Sequence, residues 1–159
     1  MQLAGGSRHS LLLYSDGTVA ACGFSSHGQL GLSYFDTELS GYKVQSKPVM
    51  LAGFTGLKQI AGGGIIERVL GVGSSFSLGL RSDGAVIAFG GNANGQLGRG
   101  DKAEHNSPVN VLQLGGPLTG ITQLAAGFRH SLALQSGGKV FAFGHNGAGQ
   151  LGPNTADDD

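Results

Sequence analysis

One segment is written three times in this chain without a gap, and that limits what it can fold into more than any other feature. LAGGSRHSLLLYSDGTVAACGFSSHGQLG runs from Leu3 to Gly31, LGVGSSFSLGLRSDGAVIAFGGNANGQLG from Leu70 to Gly98, and LAAGFRHSLALQSGGKVFAFGHNGAGQLG from Leu124 to Gly152. Such self-similarity marks an array of equal supersecondary units, each burying its apolar face on a neighbour. Residues 1–159 therefore read as a single repeat domain.

Each copy predicts a β-hairpin. The apolar arms Ser10–Leu13, Ser77–Leu80 and Ser131–Leu134 lead into Ser15-Asp16-Gly17, Ser82-Asp83-Gly84 and Ser136-Gly137-Gly138. Asp-Gly and Gly-Gly suit a type I′ turn, with Gly17, Gly84 and Gly138 supplying the freedom it needs. The return arms Val19–Cys22, Val86–Phe89 and Val140–Phe143 close on Gly23, Gly90 and Gly144. Helix is disfavoured, because interior glycines cost about 1 kcal/mol each. A lone hairpin is marginal in water, so the three must stack. In the closing Gly-Gln-Leu-Gly, the glycines Gly28 and Gly31, Gly95 and Gly98, and Gly149 and Gly152 mark tight turns or close backbone approach. The leucines Leu30, Leu97 and Leu151 are the plugs expected to enter the next unit.

Glycine makes up 31 of 159 residues and charged side chains 13%, against about 7% and about 25% in ordinary domains. Because the glycines are patterned, this means turn-dense β structure and not low complexity. Formal net charge is zero and the cations are scattered, so no basic stripe exists to hold nucleic acid. The lone Cys22 reads as a small core residue. No apolar run is long enough for a membrane helix. No room for a leader precedes the first copy, and a cytoplasmic or nuclear location is expected. Asp157–Asp159 read as a solvated tail.

With these residues laid out, the chain resembles the regulator of chromosome condensation repeat family. The phrase A-A-G-x-x-H-S-L-A-L, followed by G-x-V-(aromatic)-x-(aromatic)-G-x-N-x-x-G-Q-L-G, is met almost throughout by the third copy. Ala125–Gly127, His130–Leu134, Gly138–Gly144, Asn146 and Gly149–Gly152 carry the match. The family's intervening Pro-x-x-(apolar) segment has counterparts in Pro48–Leu51 and Pro108–Leu112. The resemblance implies an all-β fold, a β-propeller of four-stranded blades, usually seven, of which this chain carries a partial array of about three. An array ending within its third repeat is expected to be a fragment or a shortened member, or to self-associate and complete a ring.

Phe54–Gly63 resembles Leu118–Gly127, so a His-Ser arm should follow directly. Instead Leu70-Gly71-Val72-Gly73 opens the repeat afresh, which places an insertion at 60–69.

Candidate chemistry dissolves into the repeat. Gly71-Val72-Gly73-Ser74-Ser75-Phe76 starts like a dinucleotide loop but lacks the third glycine and a following helix. His9 and His130 share a position that takes Phe76 in copy two, which marks packing: a buried ring with one nitrogen satisfied. His27, His105 and His145 stand in predicted turns without partner spacing, and neither the histidines nor Cys22 offers a zinc set. Asp16 and Asp83 are turn formers. No catalytic, cofactor or metal residue is assigned, and the chain is expected not to be an enzyme. The leading expectation is a protein-interaction module without catalysis. The alternative, implied by the resemblance, is a guanine-nucleotide exchange factor, or a fragment of one, with a Ran-like small GTPase as partner. The absence of tryptophan excludes the role of the family's ultraviolet-sensing members.

Overall fold

A computed structural model of the protein describes residues 1–32, 37–39, 42–64 and 75–153. Every repeat forms an antiparallel sheet in chain order. The first sheet runs β1 (Gln2–Gly5), β2 (His9–Leu13), β3 (Val19–Phe24) and β5 (Tyr42–Met50), with β4 (Thr37–Leu39) added outside β5. The second runs β6 (Leu57–Gly63), β7 (Phe76–Arg81), β8 (Val86–Gly90) and β9 (His105–Asn110). A short ribbon of β10 (Leu112–Gln113) and β11 (Gly116–Pro117) precedes the third sheet of β12 (Ile121–Ala126), β13 (His130–Gln135) and β14 (Val140–Gly144). First strands adjoin in succession, β1 with β6 and β6 with β12. The sheets fan out from that line as the blades of a propeller, blades one to three.

The three hairpins share one register, with Leu13 opposite Val19, Leu80 opposite Val86 and Leu134 opposite Val140. Their turns differ from the expected two-residue type I′. Tyr14 N–H donates to Thr18 O at 2.9 Å and Gly17 N–H to Tyr14 O at 3.1 Å, which leaves three residues in the loop. The same pair of bonds recurs at Arg81–Ala85 and at Gln135–Lys139. A three-residue loop needs left-handed backbone at its last residue, and Gly17 (φ 81°), Gly84 (φ 86°) and Gly138 (φ 90°) supply it. Asp16 Oδ1 accepts from Thr18 Oγ1 and N–H at 2.6 and 3.0 Å, which holds its carboxyl below the usual carboxylate range.

Pro48 and Pro108 lie in the fourth strands, each inside a register shift. Gly23 pairs with Gln45 and Ala21 with Val49; Gly90 pairs with His105 and Ala88 with Val109. A proline has no N–H to give a ladder, so a bulged outer strand is where it fits.

Of the insertion expected at 60–69, the first four residues belong to the sheet. Ile60–Gly63 belong to β6, whose Ile60, Ala61 and Gly63 pair with Gly79, Leu78 and Phe76. Leu57–Gly63 is therefore the opening strand of blade two. Residues 65–69 of that span and Leu70–Gly73 lie outside the described residues, as do Asp157–Asp159.

The cores form between blades. β8 sends Ile87 and Phe89 towards blade one, where they meet Leu11, Leu13, Val19, Ala21, Leu30, Phe54 and Ile60. It sends Val86 and Ala88 the other way, into a second cluster with Leu78, Leu80, Leu97, Leu118, Ile121, Leu124 and Ala133. Alternation along one strand thus serves two neighbours. Phe54 and Phe89 meet edge to face, centroids 5.1 Å apart. Cys22, opposite Ser10, holds Phe89's position but is only part-buried. Its face looks away from blade two, where Phe89 has blade one to pack against.

Candidate functional site

The repeated polar residues build the joints between blades. Gly28, Gly95 and Gly149 (φ 78°, 76° and 74°) start the Gly-Gln-Leu-Gly turns. Gly31, Gly98 and Gly152 end them, donating back to Gly28, Gly95 and Gly149 at 2.8, 2.9 and 3.0 Å. Inside the turn, the side chain of the residue at its mouth accepts from the leucine N–H: Ser25 Oγ from Leu30 (3.3 Å), Asn92 Oδ1 from Leu97 and Asn146 Oδ1 from Leu151 (both 2.9 Å). The glutamine folds back onto an amide two residues earlier, His27, Asn94 or Ala148. That leaves the glutamine carbonyl pointing outward, where the next blade's serine meets it. Ser77 Oγ donates to Gln29 O and Ser131 Oγ to Gln96 O, both at 2.7 Å. Leu30 and Leu97 are fully buried beside these joints, whereas Leu151 is half-exposed.

Gly23, Gly90 and Gly144 allow close approach. A Cβ on Gly90 would lie 2.7 Å from Ser75 O and 2.8 Å from Phe76 Cα. Gly23 and Gly144 meet the same obstruction from Arg8–His9 and Arg129–His130.

His9 is buried at the first joint, its Nε2 3.0 Å from Ser77 Oγ. The Ser77 proton goes to Gln29 O, so Ser77 accepts from His9 Nε2–H, and Nδ1 carries the lone pair with no hydrogen-bond partner. Burial pushes the His9 pKa down to about 4. A ring already donating to the serine cannot serve as its base, so this buried Ser–His pair is not a nucleophilic dyad. His130 is half-exposed on blade three. Of the histidines expected in turns, two have partners: His27 Nδ1 lies 2.6 Å from Glu104 Oε1, and His145 Nδ1 accepts from Gln150 Nε2 at 2.8 Å; His105 instead opens β9, its Nε2 3.5 Å from Asp101 Oδ1 without a hydrogen bond. Among the described residues no three His, Cys, Asp or Glu side chains gather as a metal set, and no helix is long and apolar enough to cross a membrane.

A second repeated device was missed in the sequence. Gln2, Gln59 and Gln123 hold one position on the inner strands, opposite Leu13, Leu80 and Leu134. Gln2 clasps the main chain of Ile60 through both amide atoms, at 3.0 and 3.2 Å. Gln59 clasps Leu124 likewise, at 2.9 and 2.8 Å. Each clasp occupies the exposed N–H and C=O of an inner edge strand. The only sequence signal was a glutamine directly before each opening Leu or Ile.

The bends that follow the inner strands converge on a groove of about 380 Å³, lined by Gly5–Ser7, Gly62–Gly64 and Ala126–Phe128. Ser7 Oγ and Ser75 Oγ lie 2.7 Å apart, and Gly64 N–H donates to Gly127 O at 3.1 Å. Phe128 is 68% exposed at the rim, and Arg8 lies 5.2 Å from the centroid of the Phe24 ring. Main-chain polar groups, a serine hydroxyl and one bare ring can hold a protein loop; they offer no covalent chemistry.

Comparison with known proteins places this architecture. The regulator of chromosome condensation (RCC1) repeat matches residues 83–134 in one form, and 2–29 and 121–150 in another, together more than half of the chain. The human probable E3 ubiquitin-protein ligase HERC3 is 36% identical over the whole chain, and the ultraviolet-B receptor UVR8 of Arabidopsis thaliana 27% identical over 99% of it. Among solved structures, yeast RCC1 (Prp20) bound to Kap60 superposes with a TM-score of 0.72 at 27% identity over 97% of the chain. Human WBSCR16 gives 0.70 at 27% identity over 91%. The chain spans 14% of HERC3, 32% of UVR8 and about a third of each solved propeller.

The expectation that the chain is no enzyme is overturned here. Yeast RCC1 (Prp20) is a guanine-nucleotide exchange factor, an enzymatic activity. Such catalysis works by differential binding, not by nucleophiles or proton transfer, so a missing catalytic constellation does not argue against it. With its β-propeller blades, joints and repeat profile, this chain belongs to the regulator of chromosome condensation (RCC1) repeat family.

Proposed function

We propose that this chain is part of an RCC1-type propeller that binds a protein partner and promotes nucleotide release from a Ran-like small GTPase. The observation that carries this reading is the likeness to yeast RCC1 (Prp20) over nearly the whole chain at 27% identity. Prp20p of Saccharomyces cerevisiae is described with its binding to Gsp1p, a Ran-like small GTPase, and to histones. A nuclear location goes with this reading. An exchange factor acts by binding the nucleotide-free GTPase better than the loaded one, which lowers the barrier to release. A main-chain groove with Phe128 at its rim suits such work, since it needs shape and hydrogen bonding only.

A second reading has its own support. The 36% identity to HERC3 covers this whole chain but 14% of that ligase, so such repeats also occur as one segment of a much larger protein. There the segment would recruit a partner for another domain.

The test is release of labelled GDP from a Ran-like GTPase, with the chain present in catalytic amounts and GTPase binding measured in parallel. Accelerated, catalytic release supports exchange. Binding without acceleration supports recruitment, and neither binding nor acceleration removes the GTPase as partner.

A further inference from the structure

The fourth strands β5 and β9 bulge at the same place, but only one of the two bulges is tied down. In blade one, Gly23 pairs with Gln45 and Ala21 with Val49, so Cys22 alone faces Ser46, Lys47 and Pro48. The buried Gln45 braces that bulge, its Nε2 donating to Lys47 O at 3.2 Å. In blade two, Gly90 pairs with His105 and Ala88 with Val109, so Phe89 alone faces Asn106, Ser107 and Pro108. His105 stands where Gln45 does, yet its Nε2 makes no hydrogen bond. The brace is missing.

Ser107 is exposed, and among the described residues its hydroxyl has no hydrogen-bond partner. β9 is the last strand of its sheet. Blades one and three pack on the two faces of that sheet and leave this edge clear. Further blades of a larger propeller would stack beyond blades one and three, so they would leave it clear as well. An enzyme that modifies a serine takes the residues around it as an extended strand, and its main-chain contacts compete with any ladder already there. Asn106–Pro108 meet that need in place, being extended, unpaired in the ladder and at an outer edge. Pro108 adds selectivity. It has no N–H, so a cleft that offers no acceptor just after the serine accepts proline and would strand the N–H of any other residue. Among the four prolines, Pro108 alone follows a serine or threonine.

We propose that Ser107 is a phosphorylation site, the acceptor for a serine/threonine kinase that selects proline directly after the serine. Ser107 Oγ attacks the γ-phosphorus of ATP. The new O–P bond forms as the bond to the β-phosphate oxygen breaks, ADP leaves, and the hydroxyl proton passes to the kinase's base. The phosphate adds a charge of about −1.5 to −2 near pH 7 to a chain whose formal net charge is zero. It stands at the seam of blades one and two, where a Cβ on Gly28 would lie 2.6 Å from Cα of the adjoining Asn106. The site is separate from the groove and does not depend on the exchange activity.

The test is to incubate the folded 1–159 chain with ATP, Mg²⁺ and a proline-directed serine/threonine kinase, beside the isolated peptide 102–112, and to map phosphate by fragment mass. The expected result is one phosphate, on Ser107, gained at a rate close to that of the peptide. Ser107→Ala should gain none, and Pro108→Ala should lose most of the rate. Ser107→Ala removes only an exposed hydroxyl without a partner, so its circular dichroism and melt should match the parent. No phosphate on Ser107 in the folded chain overturns the proposal, whether or not the peptide accepts one. Phosphate that appears only on heating into the melt overturns it too. So does a Pro108→Ala chain modified as fast as the parent.

Discussion

The joint between blades two and three and the outer face of blade three use the same residue types at the same repeat positions, yet they differ in what they bury. Val86 and Leu97 are sealed; Val140 is 58% exposed and Leu151 half-exposed. A blade therefore does not supply its own core. β8 divides its side chains between two neighbours, whereas among the described residues blade three meets one neighbour only. Stability in such an array is close to a sum of nearest-neighbour terms, which makes the internal and terminal copies natural controls for one another.

The largest contrast should come from the leucine plug. Leu97→Ala opens a cavity in a sealed core, at a cost of about 2–5 kcal/mol. Leu151→Ala trims a side chain already in reach of water and should cost under about 1 kcal/mol. Denaturant titration of both variants measures the difference. Equal losses would mean that the outer face of blade three is covered in solution.

The first joint differs from the second in having a histidine where the other has a phenylalanine, and acid should expose it. His9 faces Ser77, whereas Phe76 takes that place at the next joint. Burial lowers the His9 pKa from 6.5 to about 4, so between those values the unfolded chain binds a proton that the folded chain refuses. Stability contributed by neutral His9 is complete above pH 6.5, falls as pH drops towards 4 and then levels off. The total loss is about 3 kcal/mol from a shift of this size. His9→Phe should flatten the decline, which thermal melts between pH 7 and pH 4 would show. An unchanged slope would place the acid sensitivity elsewhere.

What could be read from the sequence follows from where each signal lies along it. The hairpins and the Gly-Gln-Leu-Gly turns were visible because their bonds close within a few residues, as in Leu97 N–H to Asn92 Oδ1. The turn type was misread because Asp-Gly fits both a two-residue and a three-residue loop, and only the Tyr14–Thr18 bond decides between them. The start of the insertion was set too early because two similar openings compete in the sequence, and Ile60–Gly63 pair with β7. The expectation of no enzyme rested on the absence of catalytic residues, and the exchange activity of yeast RCC1 (Prp20) needs none of that kind.

The glutamine clasps lay beyond sequence reading altogether, because Gln2 reaches across 58 residues and Gln59 across 65. They also give the finest test of the contrast between internal and terminal blades. Gln59→Ala removes two hydrogen bonds and leaves Leu124 N–H and C=O without their partner on a part-buried edge. Net losses of about 1 kcal/mol per bond predict a cost of about 1–2 kcal/mol. Gln123→Ala removes a side chain with no such partner among the described residues and should change stability by less than about 0.5 kcal/mol, as exposed surface positions do. Denaturant titration of the two variants measures the difference. Equal losses would mean that Gln123 also has a strand to hold in solution, and that the clasp is not confined to the two joints that show it.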